Sequence, residues 1–168
     1  HIFLIGFMGS GKTAFSEALS LLTGIRRCDT DDIIAGREGM TVSDIFALNG
    51  EAFFREKETE LLVSLKEEAP MIISCGGGMA LSAVNRKLMK EAGRTVLLTA
   101  SCETILERLR GDNSRPLLSG RKTCEEISEL MDSRRPYYEE AADMAVDTDH
   151  LSPEEISEEI INKISSLS

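Results

Sequence analysis

Positive charge is scarce in this chain: 19 lysines and arginines face 29 aspartates and glutamates, a formal net charge of −10 over 168 residues. A protein that grips nucleic-acid phosphates needs the opposite balance, so nucleic acid is not an expected partner. The carboxylates gather in runs such as "EEISEL" and "SPEEISEEI", which suit solvated helix faces. No apolar run approaches the roughly 18 residues a membrane span needs, and the front shows no secretory leader. A monomeric cytoplasmic protein without a membrane partner is therefore expected. Cys28, Cys75, Cys102 and Cys124 lie far apart with no C-x-x-C pairing, so neither a zinc site nor a disulfide framework is expected and all four read as reduced thiols. There is no internal repeat and no low-complexity tract.

What remains is a length that suits one compact domain over residues 1–168. Apolar runs alternate with amphipathic ones. "IFLI" (2–5), "IRRC" (25–28), "MIISC" (71–75), "TVLLTA" (95–100) and "MAVD" (144–147) are the strand candidates. Residues 13–22, 31–37, 42–48, 51–68, 82–92, 102–110, 123–140 and 153–165 carry helical patterns. Ser152, Pro153 and Glu155 supply a cap, a first-turn proline and a capping-box acid for the last helix. Strands separated by helices imply a five-stranded, mostly parallel sheet with helices on both faces. The most loop-like stretch is "GDNSRPLLSGRK" (111–122), where three basic side chains cluster.

The strongest signal is "GFMGSGKT", Gly6 to Thr13, which satisfies G-x-x-x-x-G-K-[ST] and lies between the first strand and first helix. Glycines let backbone N–H groups close on phosphate oxygens, and the helix N-terminus adds its positive dipole. Lys12 can reach the β and γ phosphates, while the Thr13 hydroxyl suits Mg²⁺. ATP-binding candidates here are Gly9, Ser10, Gly11, Lys12, Thr13 and Ala14.

Further along, "CDTDD" (28–32) puts Asp29 and Asp31 at the carboxyl edge of the sheet, where open α/β folds bind ligands. One carboxylate can serve the metal's water shell and the other can orient an attacking hydroxyl, although Asp31 or Asp32 also suits a helix N-cap. In "GEAFFREKETELL" (50–62), Arg55 and Glu58 are spaced to meet on one helix face. A local absence follows: "MIISC" runs into Gly76, Gly77 and Gly78, where an α/β nucleotide hydrolase would carry a metal-binding aspartate. Without Cβ atoms, those amides can come close to a ligand.

"GFMGSGKT", "DTD", "FR" with a glutamate three residues on, "GGG" after a strand, "RPLL" in a loop and "RRPYYEEAA" occur in order along the chain. Together they resemble the shikimate kinase family, ATP-dependent enzymes of aromatic amino-acid biosynthesis, over essentially the whole length. The resemblance implies a three-layer P-loop kinase fold that phosphorylates the 3-hydroxyl of shikimate, giving shikimate 3-phosphate and ADP. It implies a substrate-binding segment at 31–62 and a lid at 111–122. Lys12, Asp31 and Arg115 would be catalytic, with Thr13 and, through water, Asp29 serving Mg²⁺. Arg55 and Arg134 would grip the substrate carboxylate beside Gly76, Gly77 and Gly78, with Phe46 and Phe54 as an apolar wall and Glu58 fixing Arg55. Arg108, Arg115 and Pro153 would complete the ATP site.

Overall fold

The computed structural model describes residues 1–109 and 123–166. The expected lid at 111–122, with Arg115, lies outside the described residues. Five strands form one sheet: β1 (Ile2–Ile5), β2 (Arg27–Asp29), β3 (Ile72–Ser74), β4 (Arg94–Thr99) and β5 (Met144–Asp147). They are parallel in the order β2-β3-β1-β4-β5, so β1 lies at the centre and its end opens at the middle of the carboxyl edge.

Alternation along the strands creates two apolar faces. Leu4, Ile72, Val96, Leu98 and Val146 face one way and pack against Phe15 and Leu19 of α1 (Lys12–Thr23) and Ile156 and Ile160 of α7 (Pro153–Ser166). Phe3, Ile5, Ile73 and Leu97 face the other. That second face is covered from α2 (Thr30–Glu38), α3 (Val42–Leu65), α4 (Ala83–Ala92), α5 (Cys102–Leu109) and α6 (Cys124–Ala141). The sheet is thus the middle of three layers.

Two details of the helices bear on the site. Expected helices at 42–48 and 51–68 form one long element broken at Gly50, whose φ of 83° and ψ of 168° are not helical. α6 runs through Pro136 to Ala141, so Arg134 is an interior helix residue rather than a C-terminal charge before a proline stop.

The expectation of four reduced thiols is overturned. Cys102 and Cys124, the first residues of α5 and α6, are joined in a disulfide with their Cα atoms 5.5 Å apart. A sequence separation of 22 hides this pairing, which arises because the packed helices bring their first turns together. Cys28 and Cys75 are free. Burial pushes the Cys28 thiol up to about 11, with Asp29 adding to it, and pushes buried Cys75 well above the usual thiol range. Neither is a ready nucleophile at neutral pH.

Candidate active site

At the end of β1 the chain turns through Gly9 and Gly11, both with positive φ, into α1. No side chain caps this helix, which leaves its first-turn N–H groups directed at the carboxyl edge of the sheet. Lys12 Nζ donates to the carbonyls of Gly6 and Phe7, each at 2.9 Å, and so lies folded along the loop it would serve. Ser10 is fully buried and its amide donates to Phe7 O at 3.1 Å. That amide is committed to the turn.

Asp29 closes β2 and has three local partners. One oxygen accepts from Thr13 Oγ1 at 3.3 Å and Ser74 Oγ at 2.8 Å, while the other accepts from the Asp31 amide at 3.0 Å. Asp29 is therefore the N-cap of α2, a role the sequence suggested for Asp31 or Asp32. Capping fixes its carboxylate beside the Thr13 hydroxyl and places Asp31 one step into the helix.

A cavity of about 540 Å³ opens here, lined by Gly9, Gly11, Lys12, Thr13, Ala14, Asp29, Asp31, Gly76, Gly77 and Arg108, among others. A smaller one, about 60 Å³, adjoins it and is lined by Met8, Asp31, Phe46, Phe54, Arg55, Glu58, Gly76, Gly77, Gly78 and Arg134. Met8, Asp31, Gly76 and Gly77 belong to both. Every expected substrate residue lines the second cavity, and the two chambers meet at Asp31.

The smaller chamber sets Arg55 and Arg134 beside the carboxyl groups of Asp31 and Glu58 over an apolar floor. Arg55 bonds Glu58 at 2.7 Å and Glu51 at 2.8 Å, and its guanidinium lies 6.0 Å from the Phe46 ring and 5.8 Å from that of Phe54. The two rings are 4.9 Å apart, so they form a continuous wall. Burial alone would lower the Arg55 pKa, but Glu58 and Glu51 outweigh it and raise the value. Arg134 is only 7% exposed, sits 5.8 Å over the Phe7 ring, and keeps one buried guanidinium nitrogen, Nη1, without a hydrogen-bond partner. Such an orphaned donor beside Arg55 suits a carboxylate. Arg135, its neighbour, is exposed and pairs with Asp132.

At Gly76 and Gly78 the space a side chain would take is filled by side chains of the site. A Cβ on Gly76 would run into the Asp31 carboxylate, and one on Gly78 would overlap the Arg55 guanidinium. The run therefore brings backbone directly against the Asp31 and Arg55 side chains.

Arg108 donates to Gly9 O at 3.3 Å, Thr148 Oγ1 at 3.1 Å and Thr148 O at 3.0 Å, with its guanidinium 5.8 Å over Phe15. It joins α5, the phosphate loop and the segment after β5. Pro153 opens α7 and is not among the described residues lining either cavity. Sequence reasoning missed Thr148, which anchors Arg108, and Ser74 and Thr30, which anchor Asp29 and the Gly76 amide. Single hydroxyls at strand ends carry no pattern that could have revealed them. Tyr138, whose hydroxyl reaches Gly77 O, stood within the quoted "RRPYYEEAA" without a role.

A glycine-rich loop leading from the central strand into an uncapped helix, with a lysine and hydroxyl at its start and a second chamber alongside, defines a P-loop kinase of a small anionic substrate. Residues 8–165 match the family model described as Shikimate kinase. A shikimate kinase from Geobacter sulfurreducens is 41% identical over 160 residues, covering 95% of this chain and 88% of that protein. One from Moorella thermoacetica is 42% identical over 160 residues, covering 95% and 91%. The solved shikimate kinase from Acinetobacter baumannii in complex with shikimate superposes with a TM-score of 0.94 at 32% identity, covering 99% of this chain and 93% of that one. The chain belongs to the shikimate kinase family, whose reaction is the ATP-dependent phosphorylation of shikimate.

Proposed function

We propose that this chain transfers the γ-phosphoryl group of ATP to the 3-hydroxyl of shikimate across the junction of its two cavities. The observation that carries this reading is Asp31, shared by the phosphate chamber and the chamber of Arg55 and Arg134. A hydroxyl held at Asp31 faces the phosphates in one direction while its ring carboxylate faces the arginines in the other. The oxygen–phosphorus bond to shikimate forms as the bond to ADP breaks, and the hydroxyl proton passes toward Asp31. Phosphoryl transfer asks chiefly for in-line positioning and charge balance. Lys12 and the α1 N-terminus supply the balance, and by resemblance Arg115 adds to it.

The residues also suit Mg²⁺. Thr13 and Asp29 are hard oxygen donors 3.3 Å apart, and Ser74 holds the carboxylate in place. A small protein donor set with water and phosphate oxygens completing the shell is the usual arrangement for this ion. When bound it neutralises charge on the β and γ phosphates. Among the described residues no helix is long and apolar enough to cross a membrane. ATP as co-substrate supports action in the cytoplasm.

The test is ADP release with Mg-ATP in a coupled assay. Shikimate stimulates turnover strongly, whereas gluconate and nucleoside monophosphates do not. Equal rates with and without shikimate would sink the proposal.

A further inference from the structure

The three-glycine run has no side chains with which to orient its own peptides, yet its amides must present donors at fixed angles. Its anchors come from elsewhere. The Gly76 amide donates to Thr30 Oγ1 at 2.8 Å, Gly76 O accepts from the Met79 amide at 3.0 Å, and Gly78 O accepts from the Leu81 amide at 3.0 Å. Packing does not clamp the middle residue, because a Cβ on Gly77 would meet nothing closer than 3.6 Å. The Gly77 carbonyl is held instead by Tyr138, whose hydroxyl donates to it at 2.5 Å from a ring that is only 5% exposed on α6.

That bond decides where the next amide points. In a planar trans peptide the C=O of Gly77 and the N–H of Gly78 project in opposite directions. Drawing Gly77 O toward α6 turns the Gly78 N–H away from α6, and Gly78 lines the smaller cavity together with Arg55 and Arg134. Tyr138 also stands one helical turn beyond Arg134, so the two side chains leave the same face of α6. The phenol thereby ties the glycine run to the helix that carries Arg134.

We propose that Tyr138 is a positioning residue for shikimate: its hydroxyl sets the Gly77–Gly78 peptide so that the Gly78 N–H faces the substrate carboxylate between Arg55 and Arg134. This rests on the smaller cavity being the shikimate site. Tyr138 lines neither of the two cavities, so its effect is read through the substrate it aligns.

Tyr138→Phe removes the hydroxyl and keeps the ring that packs in the core. With the full chain, KM for shikimate rises about five- to tenfold, the loss of one hydrogen bond's worth of alignment, while KM for ATP stays within about twofold. Site-specific 3-fluorotyrosine at position 138 restores the donor and returns KM for shikimate to near the wild-type value. An unchanged KM for shikimate in Tyr138→Phe, an equal rise for both substrates, or no rescue by fluorotyrosine would overturn the inference. A wild-type chain without shikimate-stimulated turnover would overturn the underlying site reading as well, and that is measured before any variant is compared.

Discussion

Glu58 is wholly buried on α3, with one carboxylate oxygen on Arg55 and the other, Oε1, without a hydrogen-bond partner. Burial raises its pKa most, Arg55 opposes, and Asp31 and Glu51 add to the rise, for a net shift from 4.5 to about 7. Because the folded value exceeds the unfolded one, the folded protein keeps a proton between pH 4.5 and 7 that the unfolded chain has lost. This group's contribution to stability therefore falls as pH rises through that window. Glu58→Gln abolishes the dependence, so the Tm of the variant gains on the wild type from pH 5 to pH 8. A constant difference across that range would show Glu58 to be ordinarily ionised. Arg55 tests the other half of the pair. Arg55→Ala removes charge-assisted bonds of about 1.5–3 kcal/mol, so shikimate affinity drops roughly ten- to a hundredfold. Nucleotide affinity, by isothermal titration, holds within about twofold, and equal losses would remove Arg55 from the carboxylate role.

Within α3 the decisive feature is the break at Gly50. Ile45 and Phe46 lie before it, and Phe54, Arg55 and Glu58 after it. The break redirects the second half so that Phe54 meets Phe46 and Arg55 spans both rings. Nothing lies within 4 Å of a Cβ at Gly50, yet its φ of 83° at a ψ of 168° belongs to glycine almost alone. Gly50→Ala thus costs backbone strain rather than a clash, about 1–3 kcal/mol. Thermal unfolding shows the loss, and KM for shikimate rises because the wall and Arg55 shift together. A variant with wild-type Tm would mean that the kink is not held in solution. The separate helical patterns at 42–48 and 51–68 made this division legible.

Across the whole molecule, the parallel order β2-β3-β1-β4-β5 gathers the ends of β1, β2 and β3 at one edge. Residues from positions 8 to 134 thereby line one small chamber. The Cys102–Cys124 bridge ties α5 to α6 on the same side of the sheet. Thiol titration of the denatured, unreduced protein should find two free thiols of the four cysteines, and four would show the bridge to be open. Opening a loop of this length by Cys102→Ser with Cys124→Ser costs up to about 3 kcal/mol, read as a lower urea midpoint.

Periodicity and turn chemistry are local, and they sufficed for nearly every element and for the phosphate loop. Strands were legible as short apolar runs, and "GFMGSGKT" carried its chemistry in its own spacing. The glycine run after β3 was expected to bring backbone close to a ligand, and the structure sets Gly76 and Gly78 against the Asp31 and Arg55 side chains. Contacts between distant segments were not legible. Asp29 as the α2 cap beside Thr13, Thr148 beneath Arg108, Tyr138 on Gly77 O and the bridge between Cys102 and Cys124 all depend on how helices are carried across the sheet. A hydroxyl or thiol looks the same in sequence whether it faces water or a carbonyl a hundred residues away, and only packing brings the second partner.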